Sequence, residues 1–292
     1  MIMNAEKELF MYWVILLIII IIAVYFIWEN MVFVTSHYDI KVPHLDSNLR
    51  GLKICHISDL HLPHHRVNLK HLSQEIKKED PDLIVITGDI FADGIDRDNQ
   101  NNIRYLGQSL NETAPIYAVS GNNDLPYMQG DKWRKTLEMH GIHVLMDEAV
   151  NIPIKGGRLV LIGLEETQEM GDYEVVPETR NFLENIQLKE DWEGTTKILL
   201  AHHPEFFEQY VNNSDIDFDL VLSGHTHGGQ VRLPLIGGVY ARGQGFNPYY
   251  DYGLYHSKKD PAVRMIINRG LATTSFTFRV FNKMEVGFIT LY

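Results

Sequence analysis

The chain has 292 residues, 45% of them hydrophobic, enough for one large packed domain or two small ones, and this excludes a disordered tail, a collagen-like fibre and a stapled mini-protein. Lys and Arg number 26 against 38 Asp and Glu, a net charge of −12 with neutral histidine; that balance disfavours nucleic acid, whose phosphates are gripped by Lys and Arg, and suits divalent cations. The single cysteine, Cys55, lies in an apolar run and reads as a small buried hydrophobe, so no intramolecular disulfide can form.

Residues 1–8 form a short polar flank, and residues 9–28 carry no charged side chain. Twenty residues at a rise of about 1.5 Å span about 30 Å, the thickness of a bilayer's hydrocarbon core. Tyr12, Trp13, Tyr25 and Trp28 stand where interfacial aromatics belong, so a single-pass membrane anchor is expected. Two alternatives are a cleaved signal peptide and a buried helix. Cleavage is disfavoured because Trp28-Glu29-Asn30-Met31-Val32-Phe33 offers no small-residue site. Lys7 between Glu6 and Glu8, with Lys41 and Arg50 beyond the run, gives no clean charge asymmetry; the remaining domain is expected outside the cytoplasm or at the membrane surface. Residues 29–50, with Pro43 and no helical period, read as a connector, and the folded domain is expected to run from 51 to 292.

Short β-branched runs then recur at 52–57, 83–87, 116–120, 159–163, 198–201, 220–223 and 263–268, several of them continuously apolar, as in strands covered on both faces. Helical patterns fall at 68–79, 97–111 and 132–140, and this alternation predicts an α/β fold. Residues 144–160 predict paired short strands, and 276–280 and 286–291 predict closing strands. The stretch 231–255, rich in Gly, Pro and aromatics (Tyr240, Phe246, Tyr249, Tyr250, Tyr252, Tyr255), predicts a long loop. It serves either as a wall for a base, sugar or acyl chain or as packing for its own domain.

Polar residues cluster just past these strands. Asp59 and His61 follow the first, Asp89 the second, Asn122 the third, His202 the run at 198–201, and His225 with His227 the run at 220–223. The carboxyl ends of parallel strands converge on one edge of a sheet, so the seven side chains point to one cleft with ligands enough for two divalent ions. Imidazole and carboxylate suit Mn, Fe, Zn, Co and Ni, and two such ions can clamp the attacking and leaving oxygens of a displacement at phosphorus.

The ordered motifs Asp59-Leu60-His61, Gly88-Asp89, Gly121-Asn122-Asn123-Asp124, Ala201-His202-His203-Pro204 and Gly224-His225-Thr226-His227-Gly228-Gly229-Gln230 resemble those of the calcineurin-like metallophosphoesterases, in their membrane-associated or exported bacterial branch. The likeness runs from about residue 52 to 291 and implies a four-layer αββα sandwich. It implies a first metal on Asp59, His61, Asp89 and His227, a second on Asp89, Asn122, His202 and His225, and Asp89 as the bridge. The implied reaction is hydrolysis of a phosphodiester or pyrophosphate by a metal-bridging hydroxide, with Mn expected first and Fe or Zn as alternatives. Asp89, Asn123 and Asp124 fall at catalytic positions, Asp124 as a supporting group rather than a base.

One departure stands out: the family usually has histidine where this chain has Asn123, and an amide cannot protonate a departing alkoxide. Three readings are open: a hydrolase that is slow or limited to good leaving groups, a replacement by His64, His65 or His203, or a phosphoryl-binding protein with little turnover. His203, leaving its strand opposite to His202, is otherwise expected in a loop or against substrate, and His64-His65 as a solvated turn. Arg66, Arg232, Arg242 and Asn268-Arg269-Gly270 are possible donors to a substrate phosphate. The expected substrate is a phosphorylated small molecule or lipid near a membrane, lipid-linked pyrophosphates included. The reading from a different class is a non-catalytic or weakly catalytic membrane-bound envelope-binding protein; on oligomeric state the sequence is silent.

Overall fold

Continuous apolar strands demand cover on both faces, and the chain supplies it by stacking two sheets between layers of helix. The computed structural model describes residues 2–292 except 44, 64–66, 93–94, 129–130, 169, 171–175 and 273–277, and of residues 2–6 the backbone alone. Helix α1 (Ile2–Glu29) leads into β1 (Phe33–Ile40), β2 (Lys53–Ile57), α2 (Leu69–Glu79), β3 (Leu83–Thr87), α3 (Arg97–Leu110) and β4 (Ile116–Val119). Then come α4 (Leu125–Met128), α5 (Lys132–Glu138), β5 (Ile142–Val144), β6 (Glu148–Ile154), β7 (Gly157–Gly163), β8 (Lys197–Leu200), α6 (Phe207–Asn213) and β9 (Leu220–Ser223). Four two-residue strands follow, β10 (Arg232–Leu233), β11 (Gly237–Gly238), β12 (Tyr240–Ala241) and β13 (Gly245–Phe246). The chain closes with β14 (Gly253–His256), β15 (Arg264–Ile267) and β16 (Met284–Leu291).

One six-stranded sheet runs β1-β16-β2-β3-β4-β5 and the other β14-β15-β9-β8-β7-β6. Neighbours β2 to β5 are parallel, as are β15, β9, β8 and β7. Each strand divides its side chains between two cores, as a period of two requires. Cys55, Ile57, Ile84 and Ile86 pack outward against Leu72 and Ile76 of α2, Ile103 and Leu106 of α3, and Trp133 of α5. Their neighbours Ile54, Leu83 and Val85 pack inward against Leu159, Leu161, Ile198 and Leu220 of the second sheet. On that sheet's far side Val160, Leu199 and Val221 meet Phe206, Phe207 and Tyr210. These three cores between four layers are the expected αββα sandwich. Helix starts are secured locally: Asn68 accepts from His71 N at the head of α2 and Asp96 from Asn99 N at the head of α3.

The segment 29–50, read from sequence as a connector, is part of the fold. Strand β1 pairs in parallel with β16 from Phe33 opposite Met284 to Ile40 opposite Leu291. Ile40 is buried in the core between the sheets, and Tyr38 Oη donates to Glu285 Oε1 at 3.1 Å. As an edge strand it exposes Thr35, His37 and Asp39, which is why it carries too few apolar residues to stand out. The strand expected at 276–280 is not seen: 276 and 277 lie outside the described residues, and 278–280 contribute one bridge, Val280 to Val231. The expected loop 231–255 is folded more tightly, into the ribbons β10–β11 and β12–β13 and the start of β14.

The most apolar 18-residue window within Lys7–Glu29 of α1 has a mean hydropathy of 3.0 and is nowhere buried, so this helix is long and apolar enough to cross a membrane. Its end is fastened to the domain. Asn30 Nδ2 donates to Arg279 O at 2.8 Å and its Oδ1 accepts from Arg279 N at 2.7 Å, while Phe281 N donates to Glu29 Oε2 at 3.0 Å. Substituting Ile40→Ala is expected to cost about 2–5 kcal/mol through lost burial and an unfilled cavity, and Thr35→Ala to cost under about 0.5 kcal/mol. Urea unfolding of the two variants in detergent checks the membership of β1 in the domain.

Candidate metal centre

The seven side chains picked out at strand ends meet where the carboxyl edges of the two sheets face each other. Five of them, Asp59, His61, Asp89, His225 and His227, have φ between 44° and 70°, a region few residues other than glycine enter. Strain so concentrated is held in place by surrounding contacts and marks a site with a function. Gly224 shows how tight the packing is: a Cβ there would overlap Ser58 Oγ and Asp59 Oδ2.

His61 Nε2 lies 3.4 Å from Asp89 Oδ2, 3.8 Å from Asp59 Oδ1 and 3.2 Å from His227 Nε2, which is itself 3.3 Å from Asp59 Oδ1. All four residues are buried and could together hold a metal ion, one atom from each lying within 4.8 Å of the others. Across Asp89 a second set gathers. His202 Nε2 is 3.4 Å from Asp89 Oδ2 and 3.2 Å from His225 Nδ1, and the buried Asn122 Oδ1 accepts no hydrogen bond among the described residues. An orphaned buried carbonyl beside two imidazoles and a carboxylate is the donor set a divalent cation completes. His202 Nδ1 lies 2.7 Å from Thr87 O and His227 Nδ1 3.1 Å from Ala272 O. With Nδ1 turned to these carbonyls, Nε2 of each ring faces the cleft; burial opposes charge on His202, but the Asp89 carboxylate outweighs it and raises its pKa well above the usual value.

Electrostatics follow from this crowding. Burial works against the Asp89 carboxylate, yet His202, His61 and the Asn123 N–H hold its pKa well below the ordinary range. Asp59 is likewise opposed by burial and held near 2 by His227. Burial pushes His61 down to about 4 and, with His203 and His202 nearby, His225 well below its usual value, so both rings are neutral at physiological pH.

The flanking positions divide. Asn123 donates its N–H and its side-chain amide to Asp89, at 2.8 and 2.6 Å, so it steadies that carboxylate. Asp124 is fully buried and accepts from the N–H groups of Ile90, Phe91 and Gly121; it ties the loops after β3 and β4 together and has no face toward the cleft. His203 lies, as expected, in the loop after β8, with its side chain buried between Glu166 Oε2 at 2.8 Å and Glu205 Oε1 at 2.9 Å. Burial opposes its charge, but these two carboxylates outweigh it and lift its pKa to about 9. It therefore cannot stand in for the missing histidine, and His64, His65 and Arg66 lie outside the described residues. Arg232 is paired with Asp251 at 2.7 Å, Arg269 with Glu285 at 3.1 Å, and the two guanidinium groups sandwich the ring of Tyr252 at 4.3 and 4.5 Å. Asn268 spans His56 O and Gly270 N in the interior. These three expected phosphate donors are engaged in holding loops. Arg242 is exposed on the β12–β13 ribbon.

Two residues escaped the sequence reading. Glu205, 3.7 Å from His225 Nε2, and Glu166 brace the second ligand group from behind. Glu166 follows β7 as the ligands follow their strands, so the same strand-end rule points to it.

The family model of the calcineurin-like phosphoesterases matches residues 52–229. The chain belongs to this family. Among its relatives are two Bacillus subtilis proteins, the uncharacterized protein YpbG, 30% identical over 84% of each chain, and the uncharacterized metallophosphoesterase YkoQ, 29% identical over 82% of this chain and 83% of its own. The phosphodiesterase YaeI of Escherichia coli is 30% identical over 66% of this chain and 67% of its own. This metallophosphoesterase is thus a hydrolase-family member whose buried donor groups suit divalent metals.

Two substitutions probe the centre. Gly224→Ala, by displacing Asp59, is expected to weaken divalent-metal binding at least tenfold, read by calorimetric titration. Asp124→Ala strands three buried N–H groups, each worth about 1–3 kcal/mol, and is expected to lower the melting temperature sharply even with metal present.

Proposed function

We propose that this chain hydrolyses phosphodiester or pyrophosphate bonds with two divalent ions, manganese foremost and iron or zinc as alternatives, from a position at a membrane through α1. The observation that carries the reading is the carboxylate of Asp89 between two donor groups, its Oδ2 3.4 Å from His61 Nε2 on one side and from His202 Nε2 on the other. Asp59, His61, Asp89 and His227 would hold one ion, and Asp89, Asn122, His202 and His225 the other. When bound, such ions supply Lewis-acid polarisation of a phosphoryl oxygen and acidify water.

The protein's own part is orientation and charge. Thr87 O and Ala272 O hold the two histidine rings with Nε2 inward, and Asn123 fixes the rotation of Asp89 with two hydrogen bonds. With asparagine at 123 that position supplies no imidazolium to protonate the leaving oxygen. Bonds whose leaving group departs readily as an anion, a pyrophosphate half or an acidic ester, are therefore favoured over alkyl esters. The similarity to YaeI, a phosphodiesterase, supports the diester reading. A phosphorylated lipid or small molecule at the membrane surface is the substrate class that fits an apolar helix joined directly to the domain.

The full-length chain in detergent, loaded with Mn, is expected to hydrolyse bis(p-nitrophenyl) phosphate faster than the monoester, and to lose that activity to a chelator. Asp89→Asn is expected to reduce turnover by about a thousandfold or more, while Asn123→His restores general-acid assistance worth about 10²-fold or more on alkyl diesters and little on aryl ones. Two ions bound with no turnover of diester or pyrophosphate would establish instead the weakly catalytic binding protein that Asn123 also permits.

A further inference from the structure

After His227 the chain forms two ribbons: the first, β10–β11, has an apolar tip, while the second, β12–β13, has the polar tip Arg242-Gly243-Gln244 and carries Phe246 at its base opposite Tyr240. Residues 233–236 form a tight turn closed by Ile236 N donating to Leu233 O at 3.2 Å, and its sequence is Leu233-Pro234-Leu235-Ile236. Pro at the second position and a positive φ at the third make this the turn that calls for Gly or Asn there. Leu235 occupies the place instead, at φ 70° and fully exposed. Strain without burial within the chain is a net cost, and a solvated turn of this shape would favour polar residues. Ile236 is 60% exposed, and Phe246 on the next ribbon 80%.

The base of the ribbon is fixed to the end of α1. Arg232 N donates to Val280 O at 2.9 Å, and the next residue, Phe281, packs edge-on against Phe26 with ring centres 5.6 Å apart. Leu235 is three positions on from Arg232, so the tip lies within about 10 Å of that strand. Phe281 is itself exposed, and Lys283 Nζ sits 4.6 Å over the ring of Trp28 as a cation does at an aromatic interfacial belt. The exposed apolar surface of α1 thus continues through Phe281 toward the 233–236 turn.

We propose that the 233–236 turn enters the interfacial layer of the bilayer that α1 crosses and holds the metal cleft against the lipid headgroups. The proposal rests on the membrane-spanning reading of α1. Its occupant is the bilayer surface, because the turn is apolar throughout, a few residues from the last ligand and joined through one strand to the helix end. The ribbons spring from the segment after His227, whose carbonyl oxygen accepts from Asn282 Nδ2 at 2.7 Å, so seating the turn also seats the cleft.

Cys55, the only native thiol, is buried, so single cysteines can be labelled in the full-length chain. Leu235→Cys, Ile18→Cys and Met139→Cys would each carry an environment-sensitive fluorophore, in vesicles of phosphatidylcholine and phosphatidylglycerol with nitroxides at shallow or deep positions. The expected result is a blue shift at 235 with quenching by the shallow nitroxide, quenching at 18 by the deep one, and neither at 139. Water-like emission at 235 with quenching at 18 overturns the proposal and leaves the anchor standing. No quenching at 18 removes the anchor and the proposal with it. A blue shift at 235 that no lipid nitroxide quenches shows a second copy of the chain covering the turn, and equal quenching at 139 shows unspecific adsorption; either overturns it.

Discussion

The carboxylate of Asp89 is the point on which the two halves of the molecule agree. It follows β3 of the first sheet, faces His61 from that sheet and His202 from the other, and takes two hydrogen bonds from the loop after β4. A buried anion is costly unless several groups of opposite polarity converge on it. Here those groups come from strands that share no hydrogen bonds with one another, so the sheets must stack in one relative position for the anion to be tolerated. The inter-sheet core of Leu83, Val85, Leu161 and Leu200 supplies the attraction, and the polar edge supplies the register.

Charge is handled in a second tier. Glu166 and Glu205 hold His203 between them behind His225, and two carboxylates against one imidazolium leave a net negative charge on the side of the cleft that would face the second cation. His225 is thereby turned with Nε2 toward Glu205 and Nδ1 toward His202, opposite to the use of the rings of His202 and His227. The backbone carries part of the same load, since the left-handed φ at five donor positions lets short loops turn their side chains inward.

Much of this was legible in the residues. Continuously apolar runs marked all the strands from β2 to β9 that line the cleft, because strands buried on both faces tolerate nothing else, and polar residues one to four places beyond them marked the donors. Strand β1 was not legible, since an edge strand covered on one face alternates Val34, Ser36, Tyr38 and Ile40 with exposed polar neighbours and resembles a linker. The fates of Arg232, Arg269 and Asn268 were hidden because a basic or amide side chain looks the same in sequence whether it meets substrate or a carboxylate such as Asp251 or Glu285. For His203 the loop placement was legible, and alternation along an extended strand shows that it faces away from His202, but not that two carboxylates wait on the other side.

The join between α1 and the domain has a mechanical meaning. Asn30 grips the backbone of Arg279 from both sides, and Arg279 Nη2 reaches to 3.2 Å from His227 Nδ1, so the path from helix end to metal ligand passes through one buried side chain and no slack linker. A domain on a flexible tether samples a hemisphere and meets its targets at every angle. Under the proposed anchoring through α1, one mounted on a pedestal keeps a constant height and bearing, so its search for targets is reduced to sliding in a plane.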